Sequence, residues 1–147
     1  MYTIIYISKA LKPFADDELL DLLSYARKNN ADNHLSGMLL YVKQRDANDI
    51  VTGRFIQALE GEEHEVTALY ETIKRDSRHQ QVTLLHQGPI SLRSFTDWTM
   101  GFRSLLEDEY VQIPGFIKLD DQFTQSKSLL SLGVALNFMK SFYSIQT

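Results

Sequence analysis

Residues 2–8, "YTIIYIS", put β-branched and aromatic side chains on both alternating faces, the pattern of a central strand buried on two sides. Pro13 and the acidic Asp16, Asp17 and Glu18 then announce a helix start. Leu19, Leu20, Leu22, Leu23 and Ala26 follow as one apolar stripe at helical spacing, and Arg27 and Lys28 suit the last turn. The spacing predicts that this helix stops within "NNADN", residues 29–33. "GMLLYVK" (37–43) reads as a second strand, the polar 44–50 as a hairpin loop, and residues 52–60 as a third strand. Val66, Leu69, Tyr70 and Ile73 recur at i, i+3, i+4 and i+7, which predicts a second amphipathic helix over 62–75. "QVTLLHQGPI" (81–90) and "FTDWTMGF" (95–102) read as the fourth and fifth strands.

The order β-α-β-β-α-β-β predicts an α+β fold: a ferredoxin-like sandwich with a five-stranded mixed sheet and both helices on one face. The other face, carrying Ile5, Ile7, Ile56 and Ala58, then needs cover. Residues 121–143 are apolar over most of a helical circumference, from Leu129 and Leu130 to Met139 and Phe142. C-terminal helices are therefore expected to cover that face, with subunit contact as the competing use. The chain divides into a domain at 1–103 and a helical appendage at 104–147.

Strand alternation places Phe55, Gln57 and Leu59 on one face of the third strand, and Ile56 and Ala58 on the other. Tyr2, Ile4 and Tyr6 share a face of the first strand, as do Trp98 and Met100 of the fifth. If Tyr6, Gln57, Trp98 and Met100 all lie under the helices, a polar cluster sits in a layer expected to be apolar. A buried amide without partners costs about 1–3 kcal/mol, so Gln57 demands an account. Each residue alone has an ordinary one. Tyr6 reads as a core aromatic, Asn29 and Asn30 as a helix cap and turn, Asp76, Arg78 and His79 as a solvated helix terminus.

The remaining chemistry is quickly bounded. Fifteen Lys and Arg against nineteen Asp and Glu give a net charge of −4, which argues against a protein built to grip phosphate backbones. Cys is absent, which removes disulfides, thiol catalysis and cysteine metal sites. The four His, at 34, 64, 79 and 86, show no metal-ligand spacing. The N-terminal segment does not read as a signal peptide, and no apolar stretch reaches membrane-spanning length. A cytoplasmic location is expected, with neither a membrane nor direct nucleic acid as partner.

Tyr6 in "IIYIS", then "RKNNADNHLSGMLLY", "GRFIQALEGEEHEV", "LYETIKRDSRH" and "FTDWTMGF" together resemble the BLUF family of flavin-binding blue-light sensors. The resemblance covers about residues 1–103, and its string F-x-Q-x-L-E-G, a helix ending D-x-R-H, then W-[ST]-M is specific. It implies a non-covalently bound FAD whose ring lies between the helices, sandwiched by Leu22 and Ile73, with FMN or riboflavin as substitutes. Asn30 is implied to bond the pyrimidine edge, Asn29 to lie near the ribityl chain, and Asp76 to approach its hydroxyls. Arg78 and His79 would stand where the chain and phosphates leave, and Tyr6, Phe55 and Thr72 complete the implied set. Gln57 is implied to sit between Tyr6 and the N5/C4-carbonyl edge. An amide, with both an acceptor and a donor, can bridge those two groups. One position departs from the family: Thr72 stands where Arg commonly holds the C2 carbonyl. It offers one short hydroxyl bond and no fork of donors, and Lys74 and Arg75 lie on other helix faces.

The implied chemistry is photochemical and not enzymatic. Light drives electron and proton transfer from Tyr6, after which the Gln57 amide settles in a new arrangement by rotation or tautomerisation. The flavin absorption shifts slightly to the red and reverts in the dark. Tyr6, Gln57, Trp98 and Met100 form the implied switch, which signals through the C-terminal part to an unidentified downstream protein. A homodimer or higher homo-oligomer is expected. Two rival readings are a ligand-free ferredoxin-like interaction module and an acylphosphatase-type enzyme. Against the latter, "SKALKPF" offers no Gly for a phosphate-cradling loop.

Overall fold

The computed structural model describes residues 1–45, 47–95 and, as backbone, 101–106. They form β1 (Tyr2–Ala10), α1 (Asp16–Asp32), β2 (Ser36–Arg45), β3 (Val51–Gly61), α2 (Glu63–Lys74), β4 (His79–Pro89) and β5 (Gly101–Leu106). The five strands make one sheet in the order β4-β1-β3-β2-β5. Four of them pair antiparallel, and β5 joins the edge parallel to β2. This is the expected ferredoxin-like α+β sheet. The strands that read as continuously apolar, β1, β2 and β3, are the interior ones, and the more polar β4 is an edge.

Helix α1 starts after Ala15, which has no side-chain oxygen to cap the turn. Glu18 instead reaches back and accepts the Ala15 N–H at 3.1 Å. Leu19 and Leu23 are buried, while Leu22 and Ala26 are half-buried beside them. Leu20 lies off that stripe and is 63 % exposed, so the expected apolar face is narrower by one residue. The C-terminal turn closes when Asn33 donates its backbone N–H to the Asn29 carbonyl at 3.1 Å and its side-chain amide to the same oxygen at 2.9 Å. His34 then takes a left-handed φ of 54°, which turns the chain into β2.

The helix-side core is aromatic at its centre. Phe14 meets Phe55 edge-on at 5.3 Å, and Tyr41 lies 4.9 Å from Phe55. The Tyr41 hydroxyl accepts the Phe14 N–H at 2.9 Å. Gly53 makes room for that ring, because a Cβ there would collide with the Tyr41 ring and hydroxyl.

On the opposite face Ile5, Ile7, Met38, Leu40, Ile56 and Ala58 are all buried. The C-terminal helices expected to cover them lie outside the described residues, as do Trp98 and Met100. The described part of the fifth strand also sits later than the expected 95–102. It begins at Gly101 and runs past residue 103 to Leu106, paired from Met38↔Gly101 to Lys43↔Leu106. Arg103 and Ser104 interrupt any apolar alternation there, so pairing with β2 and not side-chain pattern defines the strand. No helix among the described residues is long and apolar enough to cross a membrane.

Candidate functional site

Tyr6 and Gln57 face each other across the antiparallel β1–β3 pair, so both side chains leave the sheet on the helix side. They are 3 % and 6 % exposed, and the Tyr6 hydroxyl donates to Gln57 Oε1. Burial pushes the Tyr6 phenol far above its ordinary range, and Tyr70 and Asp76 add to the shift. The phenol is therefore held neutral, with its hydroxyl hydrogen turned to Gln57. Its ring lies 5.6 Å from Tyr70 and 6.4 Å from His79.

His79 is fixed from both sides. Its Nδ1 lies 2.8 Å from Ser8 Oγ and its Nε2 lies 2.6 Å from the Ile73 carbonyl. A carbonyl only accepts, so Nε2 carries the hydrogen. The imidazole thus ties the last turn of α2 to β1.

Above this floor a cavity of about 340 Å³ opens between the two helices. Leu22, Tyr25 and Ala26 line it from α1, and Ala68, Leu69 and Ile73 from α2, with Tyr6, Leu39, Phe55 and Gln57 below. Asn29, Asn30, Asn33, Thr72, Asp76, Arg78 and His79 supply its polar groups. Aliphatic walls with a few convergent amides suit a flat apolar ligand with a donor–acceptor edge. Asn30 is 1 % exposed, so its amide, like that of Gln57, lines the cavity from a buried position. The residues present fit the ring and ribityl chain of FAD.

Phosphates find less. Among the described residues Arg78 is the only Lys or Arg lining the cavity, and it is already bound to Asp76: Nε lies 3.0 and 3.1 Å from the two carboxylate oxygens, and Nη2 lies 2.5 Å from Oδ2. These hydrogen bonds hold the Asp76 carboxyl below its ordinary range. Lys74 turns away to Glu71 at 2.8 Å, with its ammonium 5.1 Å from the Tyr70 ring centroid. Thr72 donates its hydroxyl to the Ala68 carbonyl at 3.2 Å.

The structure brings Tyr6, Leu22, Asn29, Asn30, Phe55, Gln57, Thr72, Ile73, Asp76, Arg78 and His79 together around this one cavity. It also adds residues that the sequence reading missed, among them Tyr25, Ala26, Asn33, Glu65, Ala68 and Leu69. Helical spacing carried that signal. Leu22, Ala26 and Asn29 follow one stripe of α1 that leads to Asn33 at its cap, and Glu65, Ala68, Leu69 and Thr72 one stripe of α2 that leads on to Asp76. The small Ala26 and Ala68 leave room where larger side chains would close the helices together.

Fold and site together define a ferredoxin-like domain with a cavity between its helices suited to a planar ligand. The chain belongs to the BLUF family, described as sensors of blue-light using FAD, whose sequence profile matches residues 1–101. FAD is the cofactor of that family, consistent with the cavity. Among solved structures, the photo-activated state of BlsA is 26 % identical with a TM-score of 0.68, covering 95 % of this chain and 91 % of that one. BlrB, a BLUF protein in its dark state, has a TM-score of 0.68 over 97 % of this chain and 95 % of its own. At 19 % identity it speaks for the fold alone. A bacterial light-regulated adenylyl cyclase is 26 % identical with a TM-score of 0.63, and the match covers 99 % of this chain but 35 % of the cyclase. This chain thus spans about a third of that protein. A search of curated protein sequences found no match.

Proposed function

We propose that this chain is a blue-light photoreceptor in which the Tyr6–Gln57 hydrogen bond is the element rearranged by light. FAD, which Leu22, Asn30, Gln57 and Ile73 would hold in the cavity, would supply a blue-light absorber and electron acceptor beside Tyr6. The chain's own residues do the rest. Tyr6 is the buried phenol at the cavity floor, and electron loss turns it into a strong acid. Its proton has a path already formed, along the hydrogen bond to Gln57 Oε1. Return of the electron and the proton to Tyr6 can leave the amide in either of two arrangements, since rotation exchanges an acceptor for a donor. With the amide reversed, the Tyr6 hydroxyl accepts where it had donated. Two satisfied networks in a water-excluded site make a bistable element, and light moves population between them.

The observation that carries this reading is the Tyr6 hydroxyl donating to Gln57 Oε1 at the floor of a ligand cavity. From Gln57 the sheet offers a direct row to the edge, Gln57↔Leu39 and Leu39↔Phe102. The output runs along it into β5, then through residues 104–147 to a separate effector protein. The light-regulated cyclase, which extends well beyond this chain's length, supports an effector as the receiver. Trp98 and Met100, which precede β5 in the sequence, complete the proposed switch. The chain itself supplies no enzymatic step, acts in the cytoplasm and works as a homo-oligomer.

Gln57→Ala tests this directly. The variant is expected to stay yellow with bound FAD and to lose the reversible red shift on illumination. A normal photocycle in Gln57→Ala refutes the mechanism.

A further inference from the structure

Three residues beyond Gln57 on the same strand, Glu60 is 1 % exposed, and strand alternation puts it on the face away from the helices. A carboxylate taken out of water persists only where strong hydrogen bonds meet it. Here two of them come from one short segment. The Ser94 N–H donates to Oε2 at 2.7 Å and the Phe95 N–H to Oε1 at 2.8 Å. Ser36 Oγ donates to Oε1 at 3.3 Å.

Arg93 completes the knot. Its Nη1 donates to Ser36 Oγ at 2.8 Å and to the Glu60 carbonyl at 3.1 Å, and its Nη2 donates to the His34 carbonyl at 2.6 Å. Ser36 thus accepts from the guanidinium and donates to the carboxylate, linking the two charges through one hydroxyl. Phe95 is fully buried beside it. The connection from β4 to β5 is clamped to the end of β3, the first residue of β2 and the turn after α1. Neither Glu60 nor Arg93 lines the cavity.

A loop staple would need no such placement. This one fastens residues 93–95 to the strand that carries Gln57, with two consecutive backbone N–H groups each holding one oxygen of the carboxylate. We propose that Glu60 is a positioning residue for output: its carboxylate makes the 93–95 segment move with β3, so a change at Gln57 reaches the entry to β5. The proposal rests on the Gln57 rearrangement argued above.

The test is amide hydrogen exchange of the FAD-loaded protein in darkness and under blue light, read by mass spectrometry over residues 91–106, with the flavin difference spectrum recorded on the same sample. Wild type is expected to show both the spectral shift and a light-dependent change in exchange. Glu60→Gln keeps the shape and removes the charge; it is expected to keep the full spectral shift and lose the exchange difference. A purely structural Glu60 would raise exchange equally in light and dark, and an intact difference in Glu60→Gln overturns the proposal. Should that variant fail to fold or bind FAD, Ser36→Ala removes only the bridging hydroxyl. It is expected to diminish the exchange difference with the spectral shift kept, and an undiminished difference overturns the proposal. A wild-type shift with identical exchange in both conditions also overturns it. Absence of any shift in wild type sinks the photochemical reading itself and the latch with it.

Discussion

Replacing Tyr6 by Phe removes one oxygen from the centre of the site and keeps the ring that packs 5.6 Å from Tyr70. The lost hydroxyl is buried and donates to Gln57 Oε1, itself on a residue 6 % exposed, so water cannot readily replace it. Stripping one partner from a buried hydrogen bond costs about 1–3 kcal/mol, more than the ~1 kcal/mol net worth of the bond. With a urea slope of ~1.5 kcal/mol/M, the unfolding midpoint should fall by about 0.7–2 M. Gln57→Met should cost a similar amount, because the Tyr6 hydroxyl then loses its acceptor. The double variant replaces both polar groups with apolar ones and should recover much of the loss, for a coupling energy of about 1–2 kcal/mol. The assay is urea unfolding of the four proteins at equal excess FAD, corrected for each measured FAD affinity. Single-variant losses that add within ~0.5 kcal/mol would mean that the two residues do not share a bond. That result refutes the reasoning whatever the photochemistry.

Thr72→Arg should tighten FAD binding by about 1–2 kcal/mol, since a guanidinium brings charge-assisted donors where the Thr72 hydroxyl is turned to Ala68; equilibrium dialysis or fluorescence quenching reads it. Ala26→Leu should weaken FAD uptake at least about tenfold with little loss of stability, because the added carbons enter an open cavity and not packed core; absorbance after FAD titration checks it. Asp76→Asn should destabilise by at most ~1 kcal/mol at neutral pH, the pair with Arg78 being partly solvent-screened. The folded Asp76 carboxyl is depressed, so its contribution is present above the ordinary value of ~3.9 and lost as pH falls through the lower folded value. Urea unfolding near neutrality and in acid should show the gap between variant and wild type closing in acid.

Period and punctuation carried most of the fold. The apolar runs at 2–8 and 37–43 and the stripe Val66, Leu69, Tyr70 and Ile73 lie within β1, β2 and α2. The expected fifth strand overlaps the described one at 101–102; nothing in "GFRSLL" alternates, and its strand state comes from pairing with β2, a long-range fact that no local window contains. The floor of the site was legible for a different reason. A Gln flanked by Phe55 and Leu59 on a strand face conflicts with its surroundings, and such conflicts mark places where a ligand or switch completes the structure. The walls were half legible. Leu22 and Ile73 followed from family likeness, whereas Ala26 and Ala68 function by being small, which no motif advertises. Glu60 and Arg93 illustrate the other limit: they are 33 residues apart, and their shared knot exists only once the sheet has folded.

The central claim is that light rearranges a buried amide beside bound FAD. Its most direct measurement is the light-minus-dark absorption spectrum of the purified, FAD-loaded wild-type protein, followed through dark recovery. A small red shift of the flavin bands that decays fully in darkness is the predicted result, with no bleaching of the visible band. A spectrum unchanged by blue light, or one that bleaches through a covalent adduct, would contradict it.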